Sequence, residues 1–236
     1  SVATTIEDAL RYALVRVRPT VDAAQAAGVT ADRPKKWVIL SDTSASRGHT
    51  ERRAQAEMID RLVQEIDEHD QVAIVAFDAT HRRFAPWQDA IGVDRKALAA
   101  FLTGDGGLGE TDLVTSLEGA VRLLDGEPGY IVYLGDGTAT GGRRTIDQLR
   151  DAVAGKATFI GVGIGDGSDM PTLSALADAT SGMALHVDLG DDLAWRALDL
   201  VAALYTPRVT GLVATLETAG GQVRDRSEEH TSELQS

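Results

Sequence analysis

Five oxygen-bearing side chains stand where a cation could be held. Asp42, Ser44 and Ser46 alternate at the end of Trp37-Val-Ile-Leu-Ser-Asp-Thr-Ser-Ala-Ser46, directly after a short apolar run. Thr111 lies in Gly109-Glu-Thr-Asp112, and Asp136 closes a second apolar run, Tyr130-Ile-Val-Tyr-Leu-Gly-Asp136. A donor set made only of carboxylate and hydroxyl oxygens suits a hard divalent ion, magnesium first, with manganese or calcium as alternatives. Each residue also has a plainer reading. Asp42 and Thr111 can cap the helices that follow them, Ser44 and Ser46 can fill a first helical turn, and Asp136 can simply turn the chain.

The elements that must position these residues follow from hydrophobic patterning. Short apolar runs that stop abruptly at polar residues read as buried parallel strands with their chemistry at the carboxyl end. From Lys36 onward strands and helices alternate. Strands are expected at 37–41, 71–77, 130–134, 158–164 and 184–187, with a short proline-containing edge strand at 82–87. Ala54, Met58, Ile59, Leu62, Val63 and Ile66 recur at spacings of three and four, which predicts an amphipathic helix. Further helices are expected at 93–102, 113–124, 145–154, 169–180 and 191–204, and the glycine-rich 104–109 should be a loop that delivers Thr111. This order predicts an α/β fold with a doubly wound, mostly parallel six-stranded sheet and helices on both faces. Ligands in such sheets bind beyond the carboxyl ends of the strands, where the winding reverses, so Asp42 and Asp136 should meet there. The glycines of Thr158-Phe-Ile-Gly-Val-Gly-Ile164 do not make a dinucleotide fingerprint, because Asp166 occupies the third glycine position.

Asp-x-Ser-x-Ser, a distant Gly-x-Thr-Asp and a strand-final Asp-Gly together resemble the metal-ion-dependent adhesion site of von Willebrand factor A domains. The resemblance implies a Rossmann-like fold in which Asp42, Ser44, Ser46, Thr111 and Asp136 hold the metal, directly or through water. It also implies a protein partner that supplies a final Glu or Asp ligand, and therefore binding rather than catalysis. Only Asp42 and Asp136 among the five donors carry formal charge, so a divalent ion would be barely neutralised and would attract a further anionic oxygen. Three positions depart from the usual pattern. Ala45 stands where glycine is commonest, Arg47 where methionine or a small residue is frequent, and Glu110 replaces a frequent glycine and adds charge beside the ion.

Around the motif, Arg47, Arg52 and Arg53 could steer an acidic partner, or could ion-pair with Glu51 and Glu57 on a solvated first helical turn. His49 could rim the site or sit in solvent. The competing functional class is a magnesium-dependent phosphohydrolase, since a strand-end aspartate also serves phosphoryl transfer. The second aspartate such a site uses is replaced by Ser44, and no P-loop lysine motif occurs. A scaffold subunit beside a motor ATPase is a third possibility.

Composition bounds these readings. The 236-residue chain is 43% hydrophobic and 25% charged, enough for a substantial core. Its formal net charge of −13 and the lack of any basic stripe argue against nucleic acid, and no apolar run approaches the ~18 residues of a membrane helix. With no cysteine, disulfides and thiolate metal sites are excluded.

Four segments are expected. Residues 1–34 read as the tail of an upstream β domain with its linker, built on an alternating strand from Tyr12 to Arg18 closed by Pro19. That strand, followed by a proline and then an A domain, is similar to the junction after the VIT domain of inter-alpha-trypsin inhibitor heavy chains and their bacterial relatives. The same resemblance favours an exported or envelope-attached protein. Residues 35–205 are the A domain, and 206–225 begin a following β segment. Residues 226–236, Arg-Ser-Glu-Glu-His-Thr-Ser-Glu-Leu-Gln-Ser, look like a translated sequencing adapter rather than biological sequence.

Overall fold

Strand-forming stretches of the chain pair into two separate sheets, and the chain divides into two compact units, residues 1–33 and 34–236. The computed structural model describes residues 2–7, 10–15, 34–44, 48–78, 80–104, 112–138 and 145–205. In the first unit β1 (Val2–Glu7) pairs antiparallel with β2 (Leu10–Val15). The sequence reading had only the second of these strands, although Val2-Ala-Thr-Thr-Ile-Glu is itself rich in the β-branched residues that favour pleated backbone.

The second unit is a mostly parallel sheet wrapped by helices. Its strands are β3 (Lys36–Asp42), β4 (Gln71–Phe77), β5 (His81–Arg83), β6 (Gln88–Asp89), β7 (Tyr130–Gly135), β8 (Thr158–Ile164) and β9 (Met183–Val187). The order is β5-β4-β3-β7-β8-β9, with β6 also paired to β4. β5 and β6 run antiparallel to β4, and the remaining pairs are parallel. Among the described residues, seven strands therefore stand in this sheet where six were expected. The proline-containing stretch splits because Pro86 has no N–H to give a ladder, so the chain leaves the sheet after Arg83 and rejoins it at Gln88.

The helices are α1 (His49–Glu65), α2 (Arg95–Thr103), α3 (Leu113–Leu124), α4 (Ile146–Val153), α5 (Met170–Ala179) and α6 (Leu193–Tyr205). Trp37 and Ile39 point to a core shared with α1, α2 and α6, whereas Val38 and Leu40 point to one shared with α3, α4 and α5. Two buried faces explain why β3 reads as an unbroken apolar run rather than an alternating one. Met58, Ile59 and Leu62 of α1 are fully buried, each contributing about 1.5–3 kcal/mol. Side chains start several helices where the pattern placed them. Asp112 accepts from Thr115 N–H at 3.0 Å to open α3, Asp169 accepts from Thr172 N–H at 3.1 Å to open α5, and Thr145 and Gln148 form a capping box on α4.

At the amino end of the strands one buried carboxylate ties its own segment to the start of β3 and the end of α6. Asp70 accepts from Lys35 N–H at 2.7 Å, from the Trp37 indole N–H at 2.8 Å and from the Tyr205 hydroxyl at 2.6 Å. Trp37 stacks on Tyr130 with ring centroids 4.4 Å apart. Burial, then the bond to Asp70, raises the Tyr205 hydroxyl above its ordinary value, which keeps it a donor. Asp70→Ala would strand the buried Trp37 and Lys35 donors and lower stability by roughly 2–4 kcal/mol. A fall in the urea midpoint with an unchanged m-value is the expected result.

Candidate metal centre

In strand order the winding runs outward from β3 through β4 to β5, then restarts on the other side with β7, β8 and β9. The reversal lies between β3 and β7, which is the crevice an open α/β sheet uses for ligands. Ser41 is level with Leu134 in the β3–β7 register, so Asp42 ends one strand beside the Gly135-Asp136 end of the other. Asp42 is fully buried and Asp136 is 8% exposed.

Local hydrogen bonds hold both carboxylates. Asp42 Oδ1 accepts from Ser44 N–H at 2.9 Å, and Asp136 Oδ1 accepts from Thr138 N–H at 2.8 Å. The Asp136 carbonyl accepts from Asp169 N–H at 2.6 Å, which ties its loop to the start of α5. From one face of the sheet, buried Gln55 of α1 donates its amide to the carbonyls of Asp42 at 2.9 Å and Leu134 at 3.0 Å. On the other face, the Tyr133 hydroxyl meets Asp42 Oδ2 at 3.2 Å and accepts from Gly137 N–H at 2.9 Å. Gly137 adopts φ +73°, a conformation that lets the chain turn sharply after Asp136.

Burial is the main force on the Asp42 carboxyl and lifts it above the ordinary 3.8. Bonds from Ser44 oppose that rise, the charge of Asp136 adds to it, and the Tyr133 bond lowers it again. Tyr133 is pushed well upward by its own burial and then by the nearby Asp42 and Asp136 charges, so its hydroxyl stays protonated.

The structure thus brings together Asp42, Ser44 and Asp136 of the five expected donors. Ser46 and Thr111 lie outside the described residues, as do Ala45, Arg47, Glu110, the β segment expected at 206–225 and the tail 226–236. The helix-cap reading of Asp42 is corrected, because α1 starts after Gly48 with no side-chain cap. Asp112, not Thr111, is the residue that caps α3. Asp136 does turn the chain, through Thr138, and its charge lies near enough to act on Asp42. His49 and Arg53 are exposed. Among the described residues no group of three or more His, Cys, Asp and Glu gathers as a metal cage. Sequence reasoning missed Gln55 and Tyr133, which pattern alone assigns to a helix face and a buried strand.

The donors present fit a hard divalent cation. They are all oxygen, they include two carboxylates at the switch point, and the more buried of the two is penalised by burial and by its neighbour's charge, both of which a cation would relieve.

That penalty has a measurable sign in metal-free protein. Because the folded chain takes up the Asp42 proton before the unfolded chain does, this residue's contribution to stability should rise as pH falls through its raised folded value, levelling off below its ordinary 3.8. Asp42→Asn, which retains an oxygen for Ser44 N–H, should melt above the parent in EDTA at neutral pH and lose that rise. Thermal unfolding followed by circular dichroism checks it, and equal or lower melting of the variant at neutral pH would refute the electrostatic account.

Comparison with known proteins places this geometry. The family model described as von Willebrand factor type A domain matches residues 36–185. Human inter-alpha-trypsin inhibitor heavy chain H4 is 24% identical over 194 residues, covering 76% of this chain and 21% of that protein. The adhesin BmaC autotransporter of Brucella suis is 30% identical over 152 residues, covering 61% of this chain and 4% of that protein. The chain therefore spans about a fifth of the first relative and a far smaller part of the second. Among solved structures, a von Willebrand factor type A protein from Catenulispora acidiphila superposes with TM-score 0.62 at 23% identity, covering 72% of this chain and 42% of that one. Proximal thread matrix protein 1 from the mussel byssus, with a zinc-occupied MIDAS motif, superposes with TM-score 0.55 at 18% identity, covering 72% and 47%.

Proposed function

The chain belongs to the von Willebrand factor type A domain family, and we propose that it is a divalent-cation-dependent adhesion or protein-interaction module whose partner presents a carboxylate. The residues that would hold the cation are Asp42, Ser44, Ser46, Thr111 and Asp136. When bound, magnesium or a similar ion supplies an electrophilic position open to an outside acidic side chain. The single observation that carries this reading is the meeting of Asp42 and Asp136 at the β3–β7 switch point, with Ser44 hydrogen-bonded to Asp42.

The chain's own contribution is to keep that crevice rigid and underneutralised. Gln55 fixes the two strand-end carbonyls from below. Ser44 N–H and Thr138 N–H each donate to one carboxylate oxygen, which orients the acids without supplying compensating positive charge. Two formal charges against a divalent ion leave little neutralising surplus, so a partner carboxylate gains by approaching. An adhesin and a neighbour with an occupied MIDAS motif among the similar proteins support binding as the role.

The flanks fit the same reading. We infer that residues 1–34 derive from the end of a VIT-like β domain and that 35–205 form the A domain.

Isothermal titration with Mn2+ tests the site. The wild-type chain should bind about one equivalent, and Asp42→Ala or Asp136→Ala should weaken binding at least ~10-fold, since each removes a carboxylate from the ion. Undiminished Mn2+ affinity in both variants would refute it. Magnesium-dependent hydrolysis of a phosphomonoester by the purified domain, lost in Asp42→Ala, would replace binding with catalysis.

A further inference from the structure

Tyr133 is fully buried on β7, with its ring beside Phe77 and Phe159 at centroid distances of 6.0 and 6.4 Å. Phenylalanine would fill that apolar space equally well, and a buried hydroxyl is unfavourable unless it finds partners. The partners are specific. Gly137 N–H donates to Tyr133 Oη, so the hydroxyl's one proton is directed to Asp42 Oδ2. Gly135 completes the arrangement, because a Cβ there would overlap the Tyr133 hydroxyl and come within 2.7 Å of Asp42 Cβ. The space of one missing side chain is thus occupied by a hydroxyl delivered from two residues earlier.

That hydroxyl spans the two strand ends. One of its bonds reaches the carboxylate that closes β3, and the other reaches the amide just after Asp136. We propose that Tyr133 is a positioning residue of the cation site, holding the Asp42 carboxylate in one orientation and tying it to the Asp136 loop before any cation arrives. This inference rests on the metal reading above, and goes beyond it by adding a residue that supplies no ligand. Partners that orient metal-binding carboxylates are worth about 10- to 100-fold in affinity when removed.

The test compares Mn2+ affinity in wild type, Tyr133→Phe and Asp70→Ala, with melting of each in EDTA. Tyr133→Phe should bind Mn2+ about 10-fold more weakly or worse while keeping its fold. Asp70→Ala, destabilised at the opposite end of the strands, should keep wild-type affinity, which separates positioning from general loosening. Equal affinity in Tyr133→Phe and wild type overturns the inference and leaves the metal reading standing. A wild-type chain that fails to bind Mn2+ overturns both. Should Tyr133→Phe not fold, 19F NMR of 3-fluorotyrosine-labelled wild type decides, with the Tyr133 signal assigned by difference from Tyr12→Phe, Tyr130→Phe and Tyr205→Phe. A shift of that signal on addition of Mg2+ supports the inference, and an unmoved signal in Mg2+-saturated protein overturns it.

Discussion

A carboxylate buried where water barely reaches, with a second acid close by, is the constraint on which this domain's candidate site is built. Parallel pairing of β3 with β7 brings Asp42 and Asp136 to the same edge of the sheet, where burial chiefly, and the neighbouring charge to a lesser degree, disfavour the ionised Asp42. The surrounding bonds answer that cost in part. Backbone amides, the Ser44 hydroxyl and a phenol donate to the carboxylates, and a buried amide side chain anchors the strands beneath them. These donors are neutral dipoles, so they orient the acids without cancelling their charge.

The two ends of the sheet put buried acid to different uses. At the amino end Asp70 is met by an amide, an indole and a phenol, all from elements the fold must join anyway. That carboxylate is a structural node, linking the start of β3 to the end of α6. At the carboxyl end Asp42 is oriented by Ser44 and Tyr133 and shares its surroundings with a second acid. The amino-end carboxylate is fully engaged in joining elements, whereas burial of Asp42 at the carboxyl end leaves a cost that a cation would relieve.

Much of the architecture was legible because its signals are local. β3, β4 and β8 are short apolar runs bounded by polar residues, and α1 and α3 carry their buried faces at helical spacing. Less local features escaped. The extra strand Gln88–Asp89 is two residues long and exists only because β4 offers it a partner, while the strand Val2–Glu7 is defined by its antiparallel pairing with β2, which hydrophobic pattern does not mark. In the site, Asp42, Ser44 and Asp136 stood out by residue type and position. Gln55 did not, because a glutamine within an amphipathic helix reads as surface until two strand ends are found beneath it.

The sequence by itself determined the alternation of strands and helices, the buried character of the central strands and the presence of carboxylates at their ends, since all of these follow from residue order and the periods of regular backbone. Only the tertiary structure decided that Tyr133, Gly135 and Gly137 act as one unit. Their relation depends on where a hydroxyl lands when β3 and β7 lie side by side, and on the side chain that is missing at that point. Side-chain chemistry is written residue by residue, but which groups share a low-dielectric crevice is settled by the sheet order and register that bring distant segments together.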